Sequence, residues 1–415
     1  MAHKPVSAVT FTTQGALRKS ALRQANERLV LNAIREDPQL SRVEISRITG
    51  LSPSSVTFIV QRLTKAKLIR EYRNDSVPQV GRPPTSLRLA PGARLAVGVE
   101  IANSKSRVAL ADWTGQILEV HDVPWQSDPD EMLRTVHSVI RGLLASKPSA
   151  RFLGVGVSVP GTWDKSTGTL VSAVNLGWQD VAVESLLAKG FDVPVYFDNN
   201  ANLSAVGERW FRSRGGKILE NFVFVTLSGG IGTGILIGGH VLHGAFGRAG
   251  EFGHMTMHSA GSRCPCGNRG CWEEYASDRA LSRSYRTAAS VDRDVPATEI
   301  AELAIRGEEA AVKAIREVSQ QLALGLANLI IGLNPEAIVV DTWAAVAWEL
   351  VEKEVWATLR ERVPAAWLDG VRIRPSTHAE NASLLGAVAL VLARFFQSFE
   401  QPSRDPQANR VQIRG

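Results

Sequence analysis

The sequence predicts a basic winged helix-turn-helix followed by a larger α/β domain, and three observations carry that expectation. A glycine turn joins two capped helical segments near the N-terminus, apolar runs broken by glycine fill the middle of the chain, and the net positive charge is confined to the first segment. Residues 1–92 hold fifteen Lys and Arg against six Asp and Glu, a net +9 within a whole-chain +6, so the rest of the chain is at −3. Basic excess gathered at one end suits a polyanion partner. The 415 residues, 44% hydrophobic and 21% charged, fit two or three globular domains. No apolar run reaches membrane-spanning length, and the opening MAHKPVSAVTFTTQG lacks the apolar core of a signal peptide. A cytoplasmic protein with no membrane partner is expected.

Residues 1–25 read as a basic arm and 26–92 as the winged helix-turn-helix. Leu29, Val30, Ala33 and Ile34 follow helical spacing up to Asp37-Pro38. Ser41 then reads as an N-cap with Glu44 as its capping-box partner, starting a helix that points Ile45 and Ile48 inward and stops at Gly50. Pro53 opens a third helix at its favoured first position, with Val56, Ile59, Val60 and Leu63 on the inner face. On the outer face Ser54, Ser55, Thr57 and Gln61 would meet the major groove of operator DNA, and Arg62, Lys65 and Lys67 its phosphates. An ordinary three-helix packing motif is the plainer reading; pattern, charge and position together favour DNA. The alternating segments Leu68–Tyr72 and Thr85–Leu89 read as the wing. Between them Gly81-Arg82-Pro83-Pro84 sets a guanidinium on a proline-stiffened strand, suited to a narrow minor groove and equally to a rigid linker.

Residues 93–398 form the large domain. Ala96–Ile101, Val108–Asp112, Phe152–Val159, Val193–Phe197, Phe222–Leu227 and Ile235–Ile237 read as strands, with long helices from Pro296 onward, an α/β chain with two similar halves. Residues 399–415 read as a disordered tail.

All three cysteines of the chain lie in Cys264-Pro-Cys266-Gly-Asn-Arg-Gly-Cys271, ten residues after His254. Cys-x-Cys-x4-Cys with a nearby histidine is the ligand set of a closed structural zinc site, and Pro265, Gly267 and Gly270 suit the sharp turns of a knuckle. Spacing leaves His254 and His258 both open as the fourth ligand.

Several stretches together resemble the ROK family: Gly156–Gly161 leading to Asn175-Leu-Gly-Trp178, Asp198-Asn-Asn-Ala-Asn202, Glu251-Phe-Gly-His254, and the knuckle closing in Cys271-Trp-Glu273-Glu-Tyr-Ala-Ser277. That family groups sugar kinases with repressors answering to xylose, N-acetylglucosamine or glucose-related signals, and the winged helix matches the repressor branch. The resemblance implies a two-lobed actin-like ATPase (ROK sugar kinase-like) fold with a sugar cleft, a zinc knuckle over 254–271, and a homodimer or dimer of dimers. It favours His254 over His258 as metal ligand beside Cys264, Cys266 and Cys271. It assigns Gly161, Asn175, Asn199, Asn200, Glu251, His254 and Glu273 to a sugar or sugar phosphate.

Three departures from the family kinases argue against phosphoryl transfer. Their catalytic aspartate is matched by Asn200, and an amide has no titratable acceptor for a hydroxyl proton. The first phosphate loop reads Glu100-Ile-Ala-Asn-Ser104, without its two glycines, although Lys105 survives. Near the adenosine site Asp341-Thr342-Trp343 replaces a glycine cluster, where the tryptophan and acid would crowd a base. Only Ser228–Gly234 remains glycine-rich, which a structural hairpin explains as well. The expectation is a non-catalytic, sugar-responsive repressor. The alternatives are an active ATP-dependent sugar kinase with an appended DNA-binding domain, and a repressor sequestered by a partner protein.

Overall fold

The computed structural model describes residues 19–73, 85–164, 167–211, 219–378 and 381–397. The arm before Lys19, the Gly81–Pro84 segment with Arg82, and the tail 399–415 lie outside the described residues. The chain divides into two compact units, Arg94–Ala393 and the remainder on either side of it.

In the first unit α1 (Lys19–Glu36), α2 (Arg42–Thr49) and α3 (Pro53–Lys65) precede a hairpin of β1 (Ile69–Arg73) and β2 (Thr85–Leu89). The helix starts and stops follow from local chemistry. Both halves of the Ser41–Glu44 capping box form, and Gly50 closes α2 at φ 70°. Ser52 caps α3 with Pro53 just inside. The strands pair antiparallel from Ile69 against Leu89 to Arg73 against Thr85. Val30, Ile34, Ile45, Val56, Val60, Leu63 and Leu87 are buried together, each contributing about 2 kcal/mol. Two expectations differ. Ile48, in the last turn of α2, is 58% exposed, and Leu29 is 46% exposed. Helix α1 starts at Lys19 and buries Ala25, so residues 19–25, read from sequence as part of the basic arm, belong to the first helix, and Asn26, Glu27 and Arg28 are half-buried in its interior.

The second unit repeats one sheet pattern twice. The first half contains β3 (Leu95–Glu100), β4 (Lys105–Asp112), β5 (Ile117–Pro124), α4 (Pro129–Ser146), β6 (Phe152–Val159), β7 (Thr162–Asp164), β8 (Thr169–Ala173), β9 (Trp178–Val181), α5 (Val183–Leu187), β10 (Val195–Asn199) and α6 (Asn200–Trp210). The second contains β11 (Phe222–Thr226), β12 (Gly232–Ile237), β13 (His240–Val241), α7 (Glu273–Ala276), α8 (Asp278–Ala289), α9 (Ala297–Ile305), α10 (Glu309–Leu333), β14 (Ala337–Val340), α11 (Thr342–Val346), α12 (Trp348–Arg362), α13 (Ala365–Leu368), β15 (Arg372–Pro375) and α14 (Ala382–Gln397). The five-stranded sheets run β5-β4-β3-β6-β10 and β13-β12-β11-β14-β15. In each, an antiparallel meander is extended by two parallel strands. Helix α4 packs Met132, Val136 and Ile140 into the core of the first half, and α10 packs Ile315, Leu322 and Leu326 into that of the second.

Glycines let α14 approach the first sheet backbone to backbone. A Cβ on Gly156 would lie 1.9 Å from the Ala387 carbonyl oxygen, and one on Gly98 would lie 2.6 Å from a Val388 methyl. Gly156→Val is therefore expected to cost about 3 kcal/mol, the upper end for an overpacked core, measured as a lowered denaturant midpoint with unchanged slope.

Candidate functional site

His254 ends a single 3-10 turn, Phe252–His254, and the cysteine loop folds back beside it. His254, Cys264, Cys266 and Cys271 place one donor atom each within 4.8 Å of the others. Cys266 Sγ lies 3.7 Å from Cys271 Sγ, and Cys264 Sγ lies 3.7 Å from His254 Nδ1. Four donors around one ion with metal–sulfur bonds of about 2.3 Å would sit ~3.8 Å apart, so the spacing fits a tetrahedral metal. Burial pushes the Cys264 and Cys271 thiols up, an unfavourable setting for thiolates that a cation would reverse. Gly267 and Gly270 take φ 95° and 69°, and a Cβ on Gly270 would meet the His258 carbonyl oxygen at 1.7 Å. His258 packs edge-on against Tyr275, centroids 4.7 Å apart, and is not among the four clustered donors.

The cluster backs onto a cavity of about 600 Å³ between the two halves of this unit, a volume that suits a small polar ligand. Gly161, Asn175, Asn199, Asn200, Glu251, His254 and Glu273 all line it. His254 turns Nδ1 to the cluster while Nε2 lies 4.0 Å from Glu251 Oε2. Buried Glu273 accepts from the Cys264 thiol at 3.0 Å and lies 3.5 Å from the Arg279 guanidinium. Burial raises the Glu251 pKa; nearby His254 offsets part of this and Glu273 adds to it. Asn199 caps α6 through the Ala201 N–H and donates to the Gly161 carbonyl at 2.9 Å. The neighbouring Asp198 is engaged by His243, Asn202 and the Asn199 N–H and does not line the cavity.

The glycine-rich turn after β11 is satisfied from within the chain. The Leu227 N–H donates to Asp341 at 3.1 Å, the Gly229 N–H to Asp278 at 2.8 Å, and the Ile231 N–H to Glu273 at 3.4 Å. Gly229 and Ile231 belong to the Ser228–Gly234 stretch, the one that stays glycine-rich where the family kinases have a phosphate loop. Gly232 and Gly234 have a packing reason instead: a Cβ on Gly234 would stand 2.1 Å from the Ala201 carbonyl oxygen on α6. Lys105 pairs with Asp122 at 2.6 Å, and Arg107 pairs with Glu100. Asp341 and Asp278 were not assigned these roles from sequence, because their amide partners lie 114 and 49 residues away.

Trp343 corrects one expectation. It is fully buried in the core of the second half and leaves the cavity free; Asp341 and Thr342 line the wall there. Thr342 takes φ 56°, a conformation that favours glycine, and this turn sends the tryptophan inward. Burial raises the Asp341 pKa to about 7, opposed by hydrogen bonds from Thr342, Leu227 and Thr226 and reinforced by Glu100. A carboxyl whose folded value exceeds its unfolded value loses stabilisation as pH rises between the two. Asp341→Asn should accordingly stabilise the protein more at pH 8 than at pH 4, measured by denaturant melts at both; equal gains would contradict it.

On the first unit, Gln61, Lys65 and Lys67 are exposed on and just after α3. The Ser54 and Ser55 hydroxyls join the Ser52 cap at 3.0 and 2.8 Å, and Thr57 is half-buried. Arg62 is held in an ion pair with Glu27 of α1.

A sequence model of the ROK family matches residues 96–394, and one described as winged helix-turn-helix DNA-binding matches residues 23–70. A putative xylose repressor of Caldicellulosiruptor sp. (strain Rt8B.4) is 30% identical over 387 residues, covering 90% of this chain and 96% of that protein. A glucokinase of Streptomyces coelicolor is 30% identical over 312 residues, covering 72% and 95%. A solved ROK family transcriptional regulator, a homolog of the E. coli MLC protein, shares the fold with TM-score 0.75 at 23% identity, over 91% of this chain and 97% of that one.

Proposed function

The chain belongs to the ROK family, and from that premise we propose that it is a DNA-binding transcriptional regulator, a repressor of carbohydrate-utilisation genes, whose cavity binds a sugar without phosphorylating it. The observation that carries the second half is the turn after β11, where Asp341 and Asp278 of the chain itself accept from the Leu227 and Gly229 amides at the stretch that the resemblance equates with a phosphate loop. Asn200 in place of a base supports the same reading.

Charge narrows the effector. Glu251 and Glu273 line the cavity, while Glu100 and Arg107 there neutralise one another, Lys105 is paired with Asp122 outside the lining, and burial favours the neutral form of Asp341. A phosphorylated sugar would meet net negative charge, so the effector is an unphosphorylated sugar; the relatives named xylose repressors make xylose the first to test. A structural zinc ion on His254, Cys264, Cys266 and Cys271 would fix the ring and tautomer of His254 and leave Nε2 for a sugar hydroxyl. Paired α3 helices in a homodimer would meet a roughly palindromic operator.

Gel-shift titration of the full chain on its own promoter region tests the proposal: a specific complex that weakens steeply with salt is expected, and none at physiological salt, with or without sugar, would sink it. Gln61→Ala should relax sequence preference, by about 1–3 kcal/mol at one base pair, while Lys67→Ala should weaken all DNA alike. Equal effects on operator and random duplex would reject that division. The glucokinase similarity favours a competing reading, a working sugar kinase with an appended DNA-binding domain. A coupled ATP assay over hexoses, pentoses and amino sugars separates the two, because measurable turnover would reverse the proposal.

A further inference from the structure

The outward face of α3 carries a residue that its polar pattern hides. Phe58 is 57% exposed, in the second turn of the helix, on the side opposite the buried Val56, Ile59, Val60 and Leu63. A single exposed apolar side chain is ordinary on a protein surface, so exposure alone carries nothing. Its surroundings do. Ser54, Phe58, Gln61 and Lys65 are all exposed and follow one another at four, three and four residues, a single stripe along the helix. Within that stripe and beside it, the Ser54 hydroxyl shares a hydrogen bond with the Ser52 cap, Ser55 accepts from the same Ser52 hydroxyl, and Arg62 is engaged by Glu27. The guanidinium of Arg23, from α1, stands 5.8 Å from the Phe58 ring centroid and covers one side of it.

We infer that Phe58 is a specificity-determining residue that reads the C5 methyl of a thymine in the major groove. This rests on the DNA-binding reading above. A phenyl ring has no hydrogen bond to offer a base edge, and among the base pairs only thymine presents an apolar group in that groove. Gln61 lies one turn along the same stripe, about 5–6 Å away at Cβ, and its amide matches the N6 and N7 of adenine. The pair therefore reads adjacent A·T positions, and half-site preference comes from one apolar and one bidentate contact, not from the serines at the start of the helix.

The test uses the full-length protein and a duplex selected from a random-sequence library by repeated binding. Each thymine of the selected site is replaced in turn by deoxyuridine, which removes only the methyl group. The wild type should lose roughly fourfold in affinity at one thymine of each half-site, the worth of one buried methyl. Phe58→Ala should bind the unmodified site more weakly by a similar factor, show no further loss at that thymine, and keep its affinity for random duplex. Phe58→Leu should recover part of the methyl dependence. Sequence-selective binding indifferent to every deoxyuridine, or the same deoxyuridine loss in Phe58→Ala as in the wild type, overturns the assignment while leaving the regulator reading standing. Failure of the wild type to select any sequence overturns the regulator reading and this inference with it.

Discussion

Glu273→Gln is expected to weaken sugar binding roughly 30- to 150-fold in calorimetry, the ~2–3 kcal/mol of a hydrogen bond to a charged group. The substitution keeps the volume of a buried side chain that faces the cavity, touches the Cys264 thiol and lies beside the Arg279 guanidinium. Removing only the charge leaves the packing of α7 intact, so sugar-free DNA binding should persist. The variant would remain on its operator at sugar concentrations that alter binding by the wild type. Full sugar affinity in a folded Glu273→Gln protein would remove Glu273 from the sugar site.

Chelation of a metal from the proposed His254, Cys264, Cys266 and Cys271 site is expected to have the largest effect on stability. Four donors at tetrahedral spacing in a partly buried loop bring two thiols whose pKa values burial raises, and a bound cation is what makes their thiolates favourable. Chelation, or Cys271→Ser, should lower the melting midpoint by about 5–8 °C, corresponding to ~3–5 kcal/mol in a domain of this size. Because His254 Nδ1 faces the cluster and its Nε2 the Glu251 side of the cavity, sugar affinity should fall with the metal. Metal analysis should find one zinc per chain; a fully folded protein free of zinc, with the same melting midpoint, would end this account of the knuckle.

The legible parts of the chain are those whose chemistry is local. The Ser41–Glu44 capping box, Pro53 at a helix start and Gly50 at a helix stop depend on neighbours three or four residues away, and all three stand where the sequence puts them. The cysteine cluster is equally local, spanning eight residues plus one histidine. Where the reading missed, the deciding partner was distant or the backbone turned unexpectedly. Trp343 looked like an obstacle beside a nucleotide because position in sequence does not say that Thr342 would turn the next side chain into the core. Asp278 carried no local sign that its carboxylate would meet the amide of Gly229. Ile48 fitted a helical spacing yet lies exposed in the last turn of a short helix whose one buried side chain is Ile45. The seven residues assigned to the sugar came together from the family resemblance, since Gly161 and Glu273 are far apart in sequence and no periodicity links them.

A sugar can control DNA binding only through different affinities for the DNA-competent and incompetent states, and the coupling is then reciprocal. The most direct test is fluorescence anisotropy of a labelled promoter fragment titrated with the full chain, alone and with each of a panel of unphosphorylated sugars, in the absence of ATP. The account predicts a sequence-specific complex whose affinity one neutral sugar changes by about 5- to 150-fold, with no nucleotide required. A specific complex that no sugar alters, or one that responds only when ATP is supplied, would contradict it.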